Sequence, residues 1–204
     1  MIGKSEALAE PRARRRNDVC AALFAILERG RVKRRLVLTD KQATENVPVF
    51  RRRFNVVESD VVVWKHTNNV CYVQWMQDVA VAHSEYLGWN SDRYLAEGAI
   101  WVVRSHHVDY RRSTFCGDRL LAQTWIAEMK RASCIRRYRF YKLPDEIDDA
   151  DAEKICGLAD ALSDPIIDAS ELVAEAETHW AFVSSKTFRP VRVFPELTAL
   201  FNET

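Results

Sequence analysis

The sequence predicts an α+β fold in which one antiparallel sheet wraps around one buried helix. Segment 69–87 is apolar on almost every side, which is typical of a helix that other elements cover. A valine-rich stretch over Phe54–Val63 precedes it and is predicted as a strand. Four segments that alternate apolar and polar residues follow it, as strands do. They are Ile100–Tyr110, Asp118–Arg131, Ser133–Leu143 and Glu175–Ser184.

Length and composition exclude several classes of protein. A chain of 204 residues with 48% hydrophobic residues can bury the core of one domain. The longest apolar run near the N-terminus, Val19–Leu27, is far shorter than the ~20 residues that span a bilayer. Acidic Glu28 follows it without an A-x-A site, so no secretory signal is predicted either.

The cysteines indicate a reducing compartment. There are five, an odd number, and no two are spaced C-x-x-C. This pattern predicts neither a zinc site nor a disulfide framework, and no other cofactor is expected. The cytoplasm is therefore the expected location. An organellar matrix is the alternative, because the N-terminal region is rich in arginine.

The net charge of +1 hides a division along the chain. Residues 1–53 carry 14 Lys plus Arg against 6 Asp plus Glu, whereas residues 54–204 carry 16 against 23. Most of the acidic excess falls in residues 145–177, which hold 12 acidic residues and a single lysine. We expect these two segments of opposite charge to contact each other. The acidic main domain gives no indication that it binds nucleic acid.

The charge division also suggests the domain organisation. Residues 1–50 are predicted as a basic N-terminal extension with a short helix over Asp18–Arg29, serving as a solubilising arm or a docking helix. An arm for an anionic partner is the alternative. Residues 51–204 form the main domain, with an acidic insertion at about 144–174. A short helix is predicted around Ala152–Leu162, ended by Pro165.

Polar residues concentrate where the first predicted strand passes into the buried helix. One asparagine there would cap the helix, but capping does not explain the others. A helix N-terminus presents free N–H groups and a partial positive charge, which suit a carbonyl oxygen that gains negative charge. We therefore predict a functional site at this junction. Its residues are Asp60, Lys65, His66, Asn68, Asn69 and Tyr72.

The same junction carries a family resemblance. The stretch from Asp60 to Tyr72 resembles the D-x-D-x-x-x-H-x-N-N-x-x-Y signature of hotdog-fold acyl thioesterases, the 4-hydroxybenzoyl-CoA thioesterase-like and acyl-ACP thioesterase-like proteins. Three later stretches resemble the same family: the Gly117-Asp118 pair, the turn Lys130–Ser133, and Trp180–Leu197 with its R-P-x-x-x-P tail. Together they cover roughly residues 54–143 and 175–200.

The resemblance implies a five-stranded antiparallel sheet curled around a central helix. It implies homodimers or tetramers in which sheets pair edge to edge and active sites lie at the subunit interface. The implied activity is hydrolysis of acyl-CoA or acyl-carrier-protein thioesters in lipid metabolism. In such sites a carboxylate activates water or attacks directly, the helix N-terminus polarises the carbonyl, and the acyl chain runs beside the central helix.

One departure from the family signature affects the chemistry. The position of its second aspartate, often the catalytic one, is Val62 here. Asp60, His66 and Asp78 are the candidates to replace it, and Asn68 completes the predicted catalytic set. The predicted substrate-binding residues are Asn69, Tyr72, Arg136 and Arg137.

Two alternatives to hydrolysis follow from that departure. The chain is either a catalytically weak or inactive hotdog domain that binds acyl groups or protein partners, or a hotdog-fold dehydratase or hydratase. The second alternative needs a histidine and an acidic partner across the interface, and the sequence shows no such motif.

Overall fold

The computed structural model describes residues 48–202. All of the described residues belong to one compact unit, which we call the second unit because it follows residue 40. The helix predicted over Asp18–Arg29 and the basic clusters around it lie outside the described residues, so they stay predictions.

The second unit combines strands and helices in the mixed order that the sequence predicts. Its strands are β1 (Val49–Asn55), β2 (Ala99–Tyr110), β3 (Arg119–Met129), β4 (Ser133–Lys142), β5 (Gly157–Ala159) and β6 (Glu171–Ser184). Its helices are α1 (Asn69–Tyr86), α2 (Ser91–Ala96), α3 (Asp149–Lys154), α4 (Pro165–Ala169) and α5 (Pro195–Asn202). A 3₁₀ turn, Glu58–Asp60, lies between β1 and α1.

The strands form one sheet in the order β2-β6-β4-β3-β1-β5, and every neighbouring pair is antiparallel. The prediction of an antiparallel sheet around one helix is confirmed, but the predicted number of five strands is wrong. The sixth strand is β5, three residues of the acidic insertion that pair with β1. The twelve-residue strand β2 lies at the opposite edge.

The first strand lies earlier than Phe54–Val63, the predicted range. It begins at Val49, inside the predicted N-terminal extension, and it includes the arginine triplet Arg51–Arg53. The pattern was misleading because three consecutive arginines are typical of an exposed boundary, yet Arg51 is buried here. Of the valines that favoured a strand, Val57 directly precedes the 3₁₀ turn and Val61–Val63 lie in a short hairpin.

The insertion also differs from the prediction of one helix around Ala152–Leu162. Helix α3 begins earlier, because the Asp148 carboxylate accepts the N–H of Asp151 at 2.7 Å. It ends before Gly157, whose φ of +95° no helix accommodates. Pro165 does not break a helix but begins α4, a position where its missing N–H costs nothing.

Helix α1 packs against the concave face of the sheet, as its apolar pattern predicts. Its buried side includes Tyr72, Trp75, Met76 and Val79, which join Phe140 of β4 in the largest cluster of buried residues. The helix is not covered on every side within this unit, because Val70 near its start and Val81 near its middle are exposed. No helix within residues 48–202 is both long and apolar enough to cross a bilayer.

Arginines of β1 hold the acidic insertion against the sheet. Arg53 lies 2.6 Å from the carboxylate of Asp149. Arg51 donates to the carbonyl of Ala161 at 2.8 Å and forms an ion pair with Asp164 at 3.5 Å. The expected contact between basic and acidic segments is therefore present for these two arginines. Arg52 donates instead to the carbonyl of Asp78 at 3.4 Å, and the other basic residues of the segment precede residue 48.

Candidate active site

A short hairpin connects β1 to α1 and carries the first residues of the predicted site. Val61 and Thr67 form an antiparallel bridge, and the N–H of Val62 donates to the carbonyl of His66 at 3.0 Å. The turn closes through Lys65, whose φ of 65° is uncommon for a residue other than glycine. The hairpin places His66 three residues before Asn69, where α1 begins, and leaves Trp64 exposed at its tip.

The start of α1 is capped by Asn68, one of the two asparagines predicted for that role. Its side-chain oxygen accepts the N–H of Val70 at 3.1 Å. Its own N–H donates to the carbonyl of Asp60 at 2.7 Å, which joins the 3₁₀ turn to the helix. Asn69 is the first helical residue and is exposed, and none of the described residues accepts a bond from its backbone N–H. The backbone N–H of Asn69 is thus a free hydrogen-bond donor at the surface, at the positive end of the helix dipole.

Asp60 is the carboxylate beside this first turn. It was expected on a strand, on the same face as Val62, but it lies in the 3₁₀ turn instead. One of its oxygens accepts the N–H of Val57 at 2.9 Å, and the other lies 3.7 Å from the sulfur of Cys71. Burial, and after it the Asp60 charge, raises the pKa of the Cys71 thiol. The thiol is therefore protonated at neutral pH and is a poor nucleophile.

The structure places three other predicted site residues away from the start of α1. Asp78 follows Asn68 by ten residues, about 15 Å along the helix, and it accepts a bond from the Gln74 amide at 2.8 Å. Arg137 forms an ion pair with Glu177 of β6 at 3.0 Å. Arg136, also predicted to bind substrate, is buried and donates to the ring of His83 at 3.0 Å. Within this chain these three side chains do not join Asp60 and His66.

Tyr72, predicted to contact substrate, lies behind the site instead. It is buried, and its hydroxyl bonds with that of Thr114 at 2.9 Å, while Thr114 in turn bonds with Thr67 at 2.6 Å. Burial raises the pKa of Tyr72. This chain of hydroxyl groups fastens the hairpin and the loop after β2 to the helix. Sequence reasoning missed Thr114, because a lone threonine in a loop carries no spacing signal.

We expect Tyr72→Phe to lower the free energy of unfolding by about 1–2 kcal/mol, because it removes a buried hydrogen bond without opening a cavity. Urea unfolding measures this change. Tyr86→Phe is the matched control, since Tyr86 lies on the same helix and is exposed. Equal stabilities of the two variants would show that the hydroxyl chain does not fasten the hairpin.

A cavity of about 330 Å³ lies beside the second half of α1. Its size is within the range of small-molecule sites. Gln77 is the first residue of the helix that lines it, about 13 Å along the helix from Asn68. The larger side chains of its lining are mostly aromatic. They include Trp89, Tyr94, Trp101, Trp180 and Phe201.

A buried histidine lies next to this cavity. His83 of α1 is 1% exposed, and its ring stacks on Phe50 at a centroid distance of 5.2 Å. Burial, together with the neighbouring Arg136 charge, lowers the pKa of His83 to about 2. The ring is therefore neutral, and its Nδ1 accepts a bond from the Arg136 guanidinium at 3.0 Å, which places the proton on Nε2.

His83 should make the stability of the fold depend on pH. The unfolded chain takes up a proton near pH 6.5, whereas the folded chain resists it down to about pH 2. The stabilisation that comes from a neutral His83 is therefore complete above pH 6.5 and is lost as the pH falls below it. The free energy of unfolding should fall by about 2 kcal/mol between pH 7 and pH 5. Urea unfolding across that range measures the slope. His83→Gln should flatten it and the exposed His107→Gln should not, and equal slopes in both would contradict this assignment.

The comparisons with known proteins agree with this architecture. A sheet wrapped around one long helix is the hotdog fold, and the family model described as the thioesterase-like superfamily matches residues 56–201. The chain belongs to that family. Its membership supports thioester hydrolysis as the general activity. A search of the curated proteins returned no match.

Several solved structures share the fold at low sequence identity. The 4-hydroxybenzoyl-CoA thioesterase variant D17N, bound to 4-hydroxybenzoyl-CoA, is 14% identical, with a TM-score of 0.61 over 76% of this chain and 99% of its own. The 1,4-dihydroxy-2-naphthoyl-CoA thioesterase of Synechocystis is 13% identical, with a TM-score of 0.59 over 75% and 95%. A Lactobacillus plantarum protein described as an oleoyl thioesterase is 15% identical, with a TM-score of 0.61 over 76% of this chain. This chain spans only 51% of that protein.

Proposed function

We propose that this chain hydrolyses acyl thioesters carried by CoA or by acyl-carrier protein. The observation that carries the proposal is the start of α1, where the free N–H of Asn69 follows the 3₁₀ turn that carries Asp60 and the hairpin that carries His66. Solved relatives of the same fold act on CoA thioesters of aromatic acids, which supports the carrier.

The proposed chemistry uses each of these groups once. The thioester carbonyl oxygen accepts the N–H of Asn69, and the helix dipole stabilises the negative charge that it gains. Asp60 takes a proton from water as the water oxygen attacks the carbonyl carbon. The carbon–sulfur bond then breaks, and a protonated His66 gives the departing thiolate a proton. The proton that Asp60 took from water then passes to His66 through solvent, which restores both groups. The carboxylic acid is released together with the free thiol.

We further propose that the working unit is a dimer paired along β2. This edge strand is exposed over 103–107, and among residues 48–202 it pairs only with β6, so its outer edge is open to another strand. Its last residue, Tyr110, donates to the carbonyl of Asn69 at 3.1 Å. A partner on this edge would therefore lie beside the start of α1. Analytical ultracentrifugation tests the proposal, and a monomer at micromolar concentration would contradict it.

The proposed dimer also explains how a thioester could reach both the cavity and the start of a helix. Within one subunit its near end, at Gln77, is about 13 Å along the helix from the start of α1. We propose that the acyl group occupies this cavity and that the partner supplies the helix start that faces it. The predicted compartment is still the cytoplasm.

The release of free thiol from a panel of acyl-CoAs and acyl-carrier proteins tests the proposed activity. Turnover with at least one of them is expected, and turnover with none would contradict hydrolysis. Val62, at the family's usual aspartate position, favours one second candidate, an acyl-binding domain without turnover. Saturable binding of an acyl-CoA that stays intact over hours would support that candidate instead.

A further inference from the structure

Arg136 is a buried cation without a counter-charge in the part of the chain that the structure describes. It is 4% exposed, and no carboxylate of residues 48–202 forms an ion pair with it. The next two arginines of β4 differ in this respect. Arg137 pairs with Glu177, and Arg139 with Glu175. A buried charge that stays unpaired costs several kcal/mol. Binding of an anion to Arg136 would therefore be energetically favourable.

The Arg136 guanidinium lies 5.4 Å from the centre of the Phe201 ring, and among residues 48–202 one of its edges has no hydrogen-bond acceptor. Its Nη1 donates to Nδ1 of His83 at 3.0 Å and to the hydroxyl of Thr124 at 3.2 Å. Neither Nε nor Nη2 donates to any group of the described residues. Nε and Nη2 together form the planar fork that matches the two oxygens of a carboxylate.

The fork belongs to a side chain that lines the apolar cavity beside α1. Arg136 is the one charged residue of its lining among the described residues, and the same lining contains no Asp or Glu. The other walls are largely aromatic and aliphatic. A cavity of about 330 Å³ is roughly twice the ~150 Å³ that holds a benzene molecule. Its shape and charge suit an apolar group of that size with one negative end.

We propose that this cavity selects an apolar ligand that ends in a carboxylate, and that the carboxylate binds the Nε and Nη2 donors of Arg136. The ligand is either a free medium-sized carboxylic acid or the carboxylate at the far end of an acyl chain. The second case rests on the proposed function, since it places the acyl chain of the thioester in the cavity. Arg136 is then a specificity-determining residue rather than a catalytic one.

Direct binding, measured without turnover, tests this proposal even if the chain hydrolyses nothing. Octanoate and 1-octanol are titrated calorimetrically into the full chain and into its Arg136→Met and Arg139→Met variants. Octanoate should bind about tenfold more tightly than 1-octanol, because a charge-assisted pair of hydrogen bonds is gained. Arg136→Met should reduce that ratio to about one. Arg139→Met makes the same substitution on the opposite face of β4 and should preserve the ratio.

The thermal midpoint separates ligand binding from a structural role of Arg136. Octanoate should raise the midpoint of the natural chain but not that of Arg136→Met. Equal affinity for octanoate and 1-octanol in the natural chain would overturn the proposal, as would an unchanged ratio in Arg136→Met. Glu203, two residues after Phe201, lies beyond the described range. A preference for octanoate seen only in Glu203→Gln would assign the counter-charge to Glu203 and overturn the proposal too.

The source of the carboxylate is resolved by a second pair of probes. Octanoyl-CoA and the CoA thioester of octanedioic acid differ only in the far carboxylate. Tighter binding of the dioic thioester, lost in Arg136→Met, assigns the site to the acyl chain of a substrate. Equal binding of the two thioesters, combined with a preference for free octanoate, assigns the site to a free acid.

Discussion

Asp60→Asn is expected to lower kcat/KM for thioester hydrolysis by about 10²–10⁴-fold, the usual contribution of a general base. Of the two carboxylates proposed for catalysis, Asp60 is the one that the structure places beside the first turn of α1. An asparagine retains a side-chain oxygen that can accept the N–H of Val57, so the 3₁₀ turn should keep its shape. Thiol release under kcat/KM conditions measures the loss, and circular dichroism confirms the fold.

The control is Asp92→Asn, the same change in the exposed first turn of α2, and it should leave kcat/KM within about twofold. Asp78→Asn decides between the two candidate carboxylates. Full activity in Asp60→Asn together with a large loss in Asp78→Asn would contradict the assignment. It would transfer the role of the base to Asp78 and place that residue against the substrate across the subunit interface.

Phe140→Ala is expected to lower the free energy of unfolding by about 3–5 kcal/mol, the largest effect we expect of a single truncation. Phe140 of β4 is completely buried between sheet and helix. Its ring meets that of Tyr72 edge-on at a centroid distance of 5.4 Å and lies 6.4 Å from that of Trp75. The cavity left by the missing ring would open directly under the start of α1. Urea unfolding should show the loss, with a fall in thermal midpoint of about 10 °C.

Two further variants serve as controls for Phe140→Ala. Phe188→Ala removes the same ring from an exposed position and should change stability by no more than about 0.5 kcal/mol. Phe140→Leu keeps most of the buried volume and should cost less than about 1.5 kcal/mol. Similar losses in Phe140→Ala and Phe188→Ala would mean that this core cluster does not hold the helix on the sheet.

The regular elements of the core were predictable because they carry periodic patterns. The helix predicted over 69–87 is observed at Asn69–Tyr86, and the four later strands lie within a few residues of their predicted ranges. The asparagine cap is also local, since Asn68 bonds a residue only two positions away. Such features depend on neighbours in the chain, so the sequence displays them directly.

The errors occur where distant residues decide the structure. Strand β1 was misplaced because its arginines are paired by acidic residues about a hundred positions away, in the insertion. The burial of Arg136 was not predicted, because nothing in the local pattern reveals that Thr124 and His83 accept its hydrogen bonds inside the core. The support of the site by Thr114 was missed for the same reason.

The sequence by itself determined the fold class, the central helix, the resemblance to thioesterases and the polar residues at the start of that helix. These follow from local spacing and from apolar periodicity. The tertiary structure decided which of those polar residues meet. It joined Asp60 to the helix cap, buried Tyr72 behind the site, left Asp78 about 15 Å along the helix and enclosed Arg136 beside an apolar cavity. The physical reason is that burial and pairing of charges depend on groups remote in the chain, which no local pattern records.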